Sequence, residues 1–128
     1  MAYQKTYVGN LSRNAGMDLR SYQYYPVQAF PSAGVLLVSG DAGSHRACHV
    51  YVLGNRPNSG QAAELINAPN VTKAYLEGTV VDGTPMTWGA SGAGFANTSL
   101  GLTDSAHVIM GIAQGGWGSG DYASMLLK

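Results

Sequence analysis

A chain of 128 residues suits one domain with an apolar core of its own. Only 11% of the residues are charged, against a usual share of about 25%, and seven basic residues cancel seven acidic ones. That balance excludes the basic face of a nucleic-acid binder, and 45% hydrophobic residues exclude a disordered chain. With few ions to desolvate, the surface favours docking against another protein.

Cys48 is the single cysteine, so there is no internal disulfide and no cysteine-built metal site. The start, MAYQKTYVG, carries no apolar segment of the signal-peptide kind, and no apolar run approaches the roughly 20 residues of a membrane helix. The expectation is a chain made in the cytoplasm with no membrane partner.

In chain order, residues 1–16 read as a polar N-terminal arm and hinge. Tyr3, Lys5 and Tyr7 alternate with Gln4, Thr6 and Val8, so the arm can become a strand if an edge is offered; Asn10 to Gly16 reads as hinge or loop. Residues 17–128 form the predicted single β-barrel domain. Strands are expected at 17–30, 34–40, 47–54, 73–81, 84–89, 107–114 and 122–128, where Val, Ile, Tyr and Thr are dense. Eighteen glycines and five prolines break the chain into short pieces, with turns such as VDGT and GGWGSGD between them. The fold class is therefore all-β, a small barrel or sandwich. SGQAAELINA (59–68) could form a short helix ended by Pro69; the competing reading is a strand with Ala63 and Leu65 on one face. No internal repeat is evident.

Candidate chemistry is thin. His45 and His49, in a loop running into a strand, would stand about 13 Å apart, and Cys48 and His49 point to opposite faces. With His107 they read as surface or interface histidines. GASGAG (89–94) has no nucleophile-elbow pattern, and SGDAG (39–43) and GSGD (118–121) lack the Gly-Lys-Ser/Thr and helix of a phosphate loop. The acids Asp18, Asp41, Glu64, Glu77, Asp82, Asp104 and Asp121 are scattered singly, whereas a glycosidase pair must be held ~5 to 10 Å apart. The expectation is no enzyme, no metal and no cofactor. Aromatic residues are the stronger signal. Tyr22, Tyr24 and Tyr25 cluster in SYQYYP, with a core-plus-rim role expected, and Trp88 and Trp117 border glycine loops as candidates for intersubunit or surface contact.

The order of these features resembles the small head-decoration, or cement, proteins of tailed bacteriophages. The likeness covers most of residues 9 to 128. It begins with GMDLRSYQYYPVQ and VLLVSGDAG, then a V-L-x-N-x-P-x-x-G-x-x-A pattern at Val52, Leu53, Asn55, Pro57, Gly60 and Ala63. VVDGTPMTWGASGAGFA and HVIMGIAQGGWGSGDYASMLLK complete it. The segment GSHRACH (43–49), Trp88 and Trp117 depart from the family pattern. The resemblance implies a structural virion protein on the outer capsid surface, a homotrimer that clamps neighbouring major-capsid-protein subunits, with no nucleic-acid partner. Ala2, Tyr3, Gln4, Lys5, Thr6, Tyr7 and Val8 are then the candidate capsid-binding arm, able to add a strand to an edge of the capsid protein. The alternative is a trimeric, sugar-binding receptor domain of a phage tail fibre.

Overall fold

Short runs of strand formers between glycine turns give an all-β chain. The computed structural model describes residues 11–38, 50–67, 70–88, 94–97 and 110–127, and within them ten strands form. The first five are β1 (Leu11–Asn14), β2 (Pro26–Phe30), β3 (Gly34–Leu37), β4 (Val50–Leu53) and β5 (Ala62–Ile66). They pair antiparallel in the order β1-β5-β4-β2-β3. The second five are β6 (Asn70–Tyr75), β7 (Pro85–Trp88), β8 (Phe95–Asn97), β9 (Gly111–Ala113) and β10 (Tyr122–Leu127), in the order β6-β10-β9-β7-β8. The two orders are the same when each half is counted from its own first strand.

Each sheet curls until its edge strands meet. Ala15 bridges Val35 in parallel, and the Gly16 N–H donates to the Val35 carbonyl at 2.9 Å. In the second half Leu76 bridges Phe95, and the Glu77 N–H donates to the Phe95 carbonyl at 2.9 Å. The register matches strand by strand: Leu53 lies opposite Leu65 as Ala113 lies opposite Met125, and Val27 opposite Tyr51 as Met86 opposite Gly111. The described strands thus form two tandem five-stranded barrels: the all-β class is as expected, and the two sheets repeat one topology that the sequence reading did not detect.

Alternation along the strands sorts the interior. Ala15, Leu19, Val27, Val35, Leu53, Ala63 and Leu65 fill the first barrel, and their counterparts Leu76, Val80, Met86, Phe95, Ala113, Ala123 and Met125 fill the second. Val38, Val50, Val52 and Ile66 occupy the other face of the first sheet and belong to the apolar cluster of the second barrel. The β4 and β5 strands are therefore buried on both faces, and that packing joins the halves.

Several expected boundaries move. Residues 11–14, read as hinge, form β1, because β5 offers them an edge from Leu11 opposite Leu65 to Asn14 opposite Ala62. The long strand expected over 17–30 is reduced to β2, since the Leu19 N–H turns away to the Pro57 carbonyl and Tyr24 takes a positive φ of 70°. The strand expected over 73–81 starts at Asn70 and ends at Tyr75. Over 59–68 the strand reading holds: in β5 Ala63 and Leu65 are 0% and 1% exposed.

The turn before the last strand of each barrel is built twice. The Gly60 N–H donates to the Ala15 carbonyl at 2.9 Å and the Gly120 N–H to the Leu76 carbonyl at 2.8 Å, both glycines with φ above +80°. An added Cβ would meet nothing within 4 Å at either glycine, so backbone strain alone opposes substitution. Gly60→Ala and Gly120→Ala are each expected to lower stability by about 1 kcal/mol in urea unfolding, and the double variant by the sum.

Candidate functional site

Where the two barrels meet, the turn before β2 carries Tyr22, Tyr24 and Tyr25 against Tyr75 of β6 and Tyr122 of β10. The turn closes through the Tyr25 N–H to the Tyr22 carbonyl at 3.1 Å. Tyr24 sits between two backbone bonds. Its N–H donates to the Leu53 carbonyl at 2.6 Å, and its carbonyl accepts from the Tyr75 N–H at 2.9 Å, a bond that crosses between barrels. The corresponding bond in the second barrel runs from the Gly83 N–H to the Ala113 carbonyl at 2.9 Å, and Gly83 has φ of 81°. Tyr24 therefore occupies a left-handed position that its counterpart fills with glycine, at a cost of about 1–2 kcal/mol.

Five of the eight tyrosines meet here. Tyr25 and Tyr75 stack with centroids 4.5 Å apart and planes at 6°. Tyr22 meets Tyr25 edge-on at 5.1 Å, Tyr75 meets Tyr122 at 5.4 Å, and Tyr24 meets Tyr122 at 5.9 Å. The Lys73 ammonium lies 5.9 Å from the centre of the Tyr24 ring, within cation–π range. Tyr122 is 50% exposed and the other four are half-buried, so the rings form a surface seam. Such a seam can stack on a sugar ring or anchor a protein interface.

Sequence proximity indicated Tyr22, Tyr24 and Tyr25, although they occupy a turn and not the expected strand. Tyr75 and Tyr122 were missed, because only the β6–β10 register sets them opposite each other. Trp88 is 2% exposed within the second barrel's core. Its indole N–H has no hydrogen-bond partner among the described residues. Trp117 is partly buried against that core and exchanges backbone bonds with Val80 at 2.9 and 3.0 Å. The arm Ala2–Val8, His45, Cys48, His49 and His107 lie outside the described residues.

The remaining motifs are structural where they are described. GSGD forms a turn in which the Asp121 carboxylate accepts from the Gly118 N–H at 3.0 Å, and Gln61 does the same for Asn58 at 2.8 Å in the first barrel. In VLGNRPNSGQAAE, the Asn55 amide donates to the Ala62 carbonyl at 3.0 Å and accepts from the Glu64 N–H at 2.9 Å, pinning the loop to β5. Among the described residues no group of three or more His, Cys, Asp or Glu is placed to hold a metal. No protein-family model and no curated protein matches the chain.

Burial first, then a hydrogen bond with Tyr75 and the charges of neighbouring phenols, pushes the Tyr25 hydroxyl from 10.0 up to about 12. A folded value above the unfolded one gives stability that is complete below pH 10 and is lost as the pH climbs from 10 towards 12. Ultraviolet titration should show one tyrosine ionising near pH 12 together with falling stability across that window. Tyr75→Phe should bring the Tyr25 midpoint down, read from its ring carbon shifts; an unchanged midpoint would deny Tyr75 that role.

Proposed function

We propose that the chain is a structural virion protein that binds the outside of an assembled phage capsid as a homotrimer and clamps neighbouring major-capsid-protein subunits. The observation that carries this reading is the shared order of motifs from the MDLRSYQYYP segment through VLGNRPNSGQAA to the final GIA and YASMLL strands. The tyrosine seam supports it by supplying a rigid aromatic surface of the kind that anchors protein interfaces. The low charge supports it too, since such a surface is cheap to desolvate.

The mechanism is mass action. A ligand that binds only the expanded shell stabilises that state, by about 2.7 kcal/mol at 100 times its Kd. Three equivalent feet raise the local concentration of the second and third once the first is bound, so individual contacts need not be strong. The arm Ala2–Val8 would add a strand to an exposed edge of the capsid protein, and the seam would dock beside it. The exposed Tyr122 ring also favours a second reading, a tail-fibre receptor domain whose rings stack on cell-surface sugars.

Quantitative mass spectrometry of purified particles separates the two. A copy number near that of the major capsid protein is expected; a handful of copies per particle would favour the tail. Co-sedimentation with expanded capsids tests the contacts. Deleting residues 2–8 should leave a folded protein that no longer binds, and Tyr122→Ala should weaken binding roughly tenfold, the loss expected of an interface anchor. Full binding by the truncated protein would remove the arm from the mechanism.

A further inference from the structure

Each barrel carries a row of apolar side chains across the outer face of its sheet. In the first barrel the row is Ile66, Val52 and Pro26, paired in turn from β5 to β4 to β2. All three are buried, and Ile66 and Val52 belong to the apolar cluster of the second barrel. What covers this row is therefore another barrel.

The shared register sets Leu126, Ile112 and Pro85 at the same places in the second barrel, paired from β10 to β9 to β7. Val71 of β6 lies opposite Leu126 and extends the row. Apolar side chains thus stand next to one another across four strands, a width of about 14 Å at ~4.8 Å per strand. Met125, Ala113 and Met86, their chain neighbours, point the other way into the barrel.

The second row is more open than the first. Val71 is 62% exposed, and Leu126, Ile112 and Pro85 are half-buried where Ile66, Val52 and Pro26 are buried. The adjoining row on the same face shows no such difference. There Thr87 and Met110 are buried, as are their counterparts Gln28 and Val50. The difference between the two outer faces is therefore concentrated in one row.

The open row continues a face that is already an interface. Tyr75 and Tyr122 lie on the same side of β6 and β10, four residues from Val71 and from Leu126, and pack against Tyr25 and Tyr24 of the first barrel. Among the described outward residues of β6, β10, β9 and β7, Lys73 is the single charged one. A face of that composition loses little hydration when another protein covers it.

We propose that the row Val71, Leu126, Ile112 and Pro85 is a self-association surface, covered by a barrel of a second copy of this chain as the second barrel covers Ile66, Val52 and Pro26. The matching row of the first barrel is already buried, so the contact is head-to-tail, the kind that gives a ring when its rotation closes. It supplies the contact between copies that the proposed homotrimer needs. It depends on self-association alone and not on capsid binding.

Sedimentation velocity of the full chain without capsids tests it. The wild type should associate with Kd of about 1–100 μM. Val71→Glu sets a charge in the row and should weaken association at least roughly tenfold. Val81→Glu is the control, because Val81 is 64% exposed but sits in the turn before β7, outside the row, and association should be unchanged. Ile112→Ser should weaken association as Val71→Glu does; if urea unfolding shows that it does not fold, Val71→Glu decides alone. The proposal is overturned by a wild type that is monomeric at about 1 mM, by wild-type association in Val71→Glu, or by equal weakening in Val81→Glu. A monomeric wild type whose co-sedimentation with capsids is lost in Val71→Glu would give the row to the capsid protein instead. Oligomers that fail to bind capsids would leave this contact standing and remove the capsid reading.

Discussion

A sheet of strands three to six residues long leaves two edges open, and each sheet here removes them by closing on itself. The closure runs through one parallel bridge per barrel, Ala15 to Val35 and Leu76 to Phe95. Everything else follows from it. Once the edges meet, alternate side chains point into an interior with no second sheet needed to cover them; seven positions are shared by the two interiors, and Trp88 is added in the second. The turn glycines Gly60 and Gly120 hold the bridging segment from the other side by donating to the Ala15 and Leu76 carbonyls. The loop, the bridge and the last strand thus form one hydrogen-bonded unit, made twice.

Closure fixes the backbone but leaves the volume free to be divided differently. Ala15, Val27 and Val35 in the first barrel become Leu76, Met86 and Phe95 in the second, while Leu53 becomes Ala113. Cores tolerate such exchanges when total volume and patterning are kept. The exchange is not balanced at Ala29 and Tyr51, which stand where the second barrel has Trp88 and Gly111. Pro57 and Trp117 show the same freedom in the loops. Both carbonyls accept a bond from the first loop, at 2.9 Å from Leu19 and from Val80, but only Trp117 has an N–H to return.

Much of the fold was legible because alternation and turn chemistry are local. The strand with Ala63 and Leu65 on one face was one of the two readings of residues 59–68. The duplication was not legible. Most positions shared by the halves are Pro26 and Pro85, Gly34 and Gly94, Ser59 and Ser119, Gly60 and Gly120, Ala63 and Ala123, residues that turns and close packing select in any β protein. The interior pairs, which would have carried the signal, diverged because a barrel constrains their summed volume more than their identity. The N-terminal boundary failed for a related reason: Leu11 to Asn14 is three-quarters polar, and only an edge supplied by β5, about 50 residues downstream, makes it a strand. The tyrosine seam was half legible, since Tyr75 and Tyr122 join it through pairing over long range.

The departures from the repeat bear on function more than the repeat itself. At the left-handed position before β2, glycine suffices in the second barrel, and a chain selected for folding alone would use it in both. Tyr24 is there despite its strain, held by the Leu53 carbonyl on one side and the Tyr75 N–H on the other. What it adds is a half-buried ring packed against the second barrel's core, beside Tyr122 and within reach of Lys73. Strain held in place by its surroundings here supplies packing that joins the two barrels. One copy of a duplicated module thus carries the plain structural solution, glycine, and the other a strained residue that makes contacts across the junction.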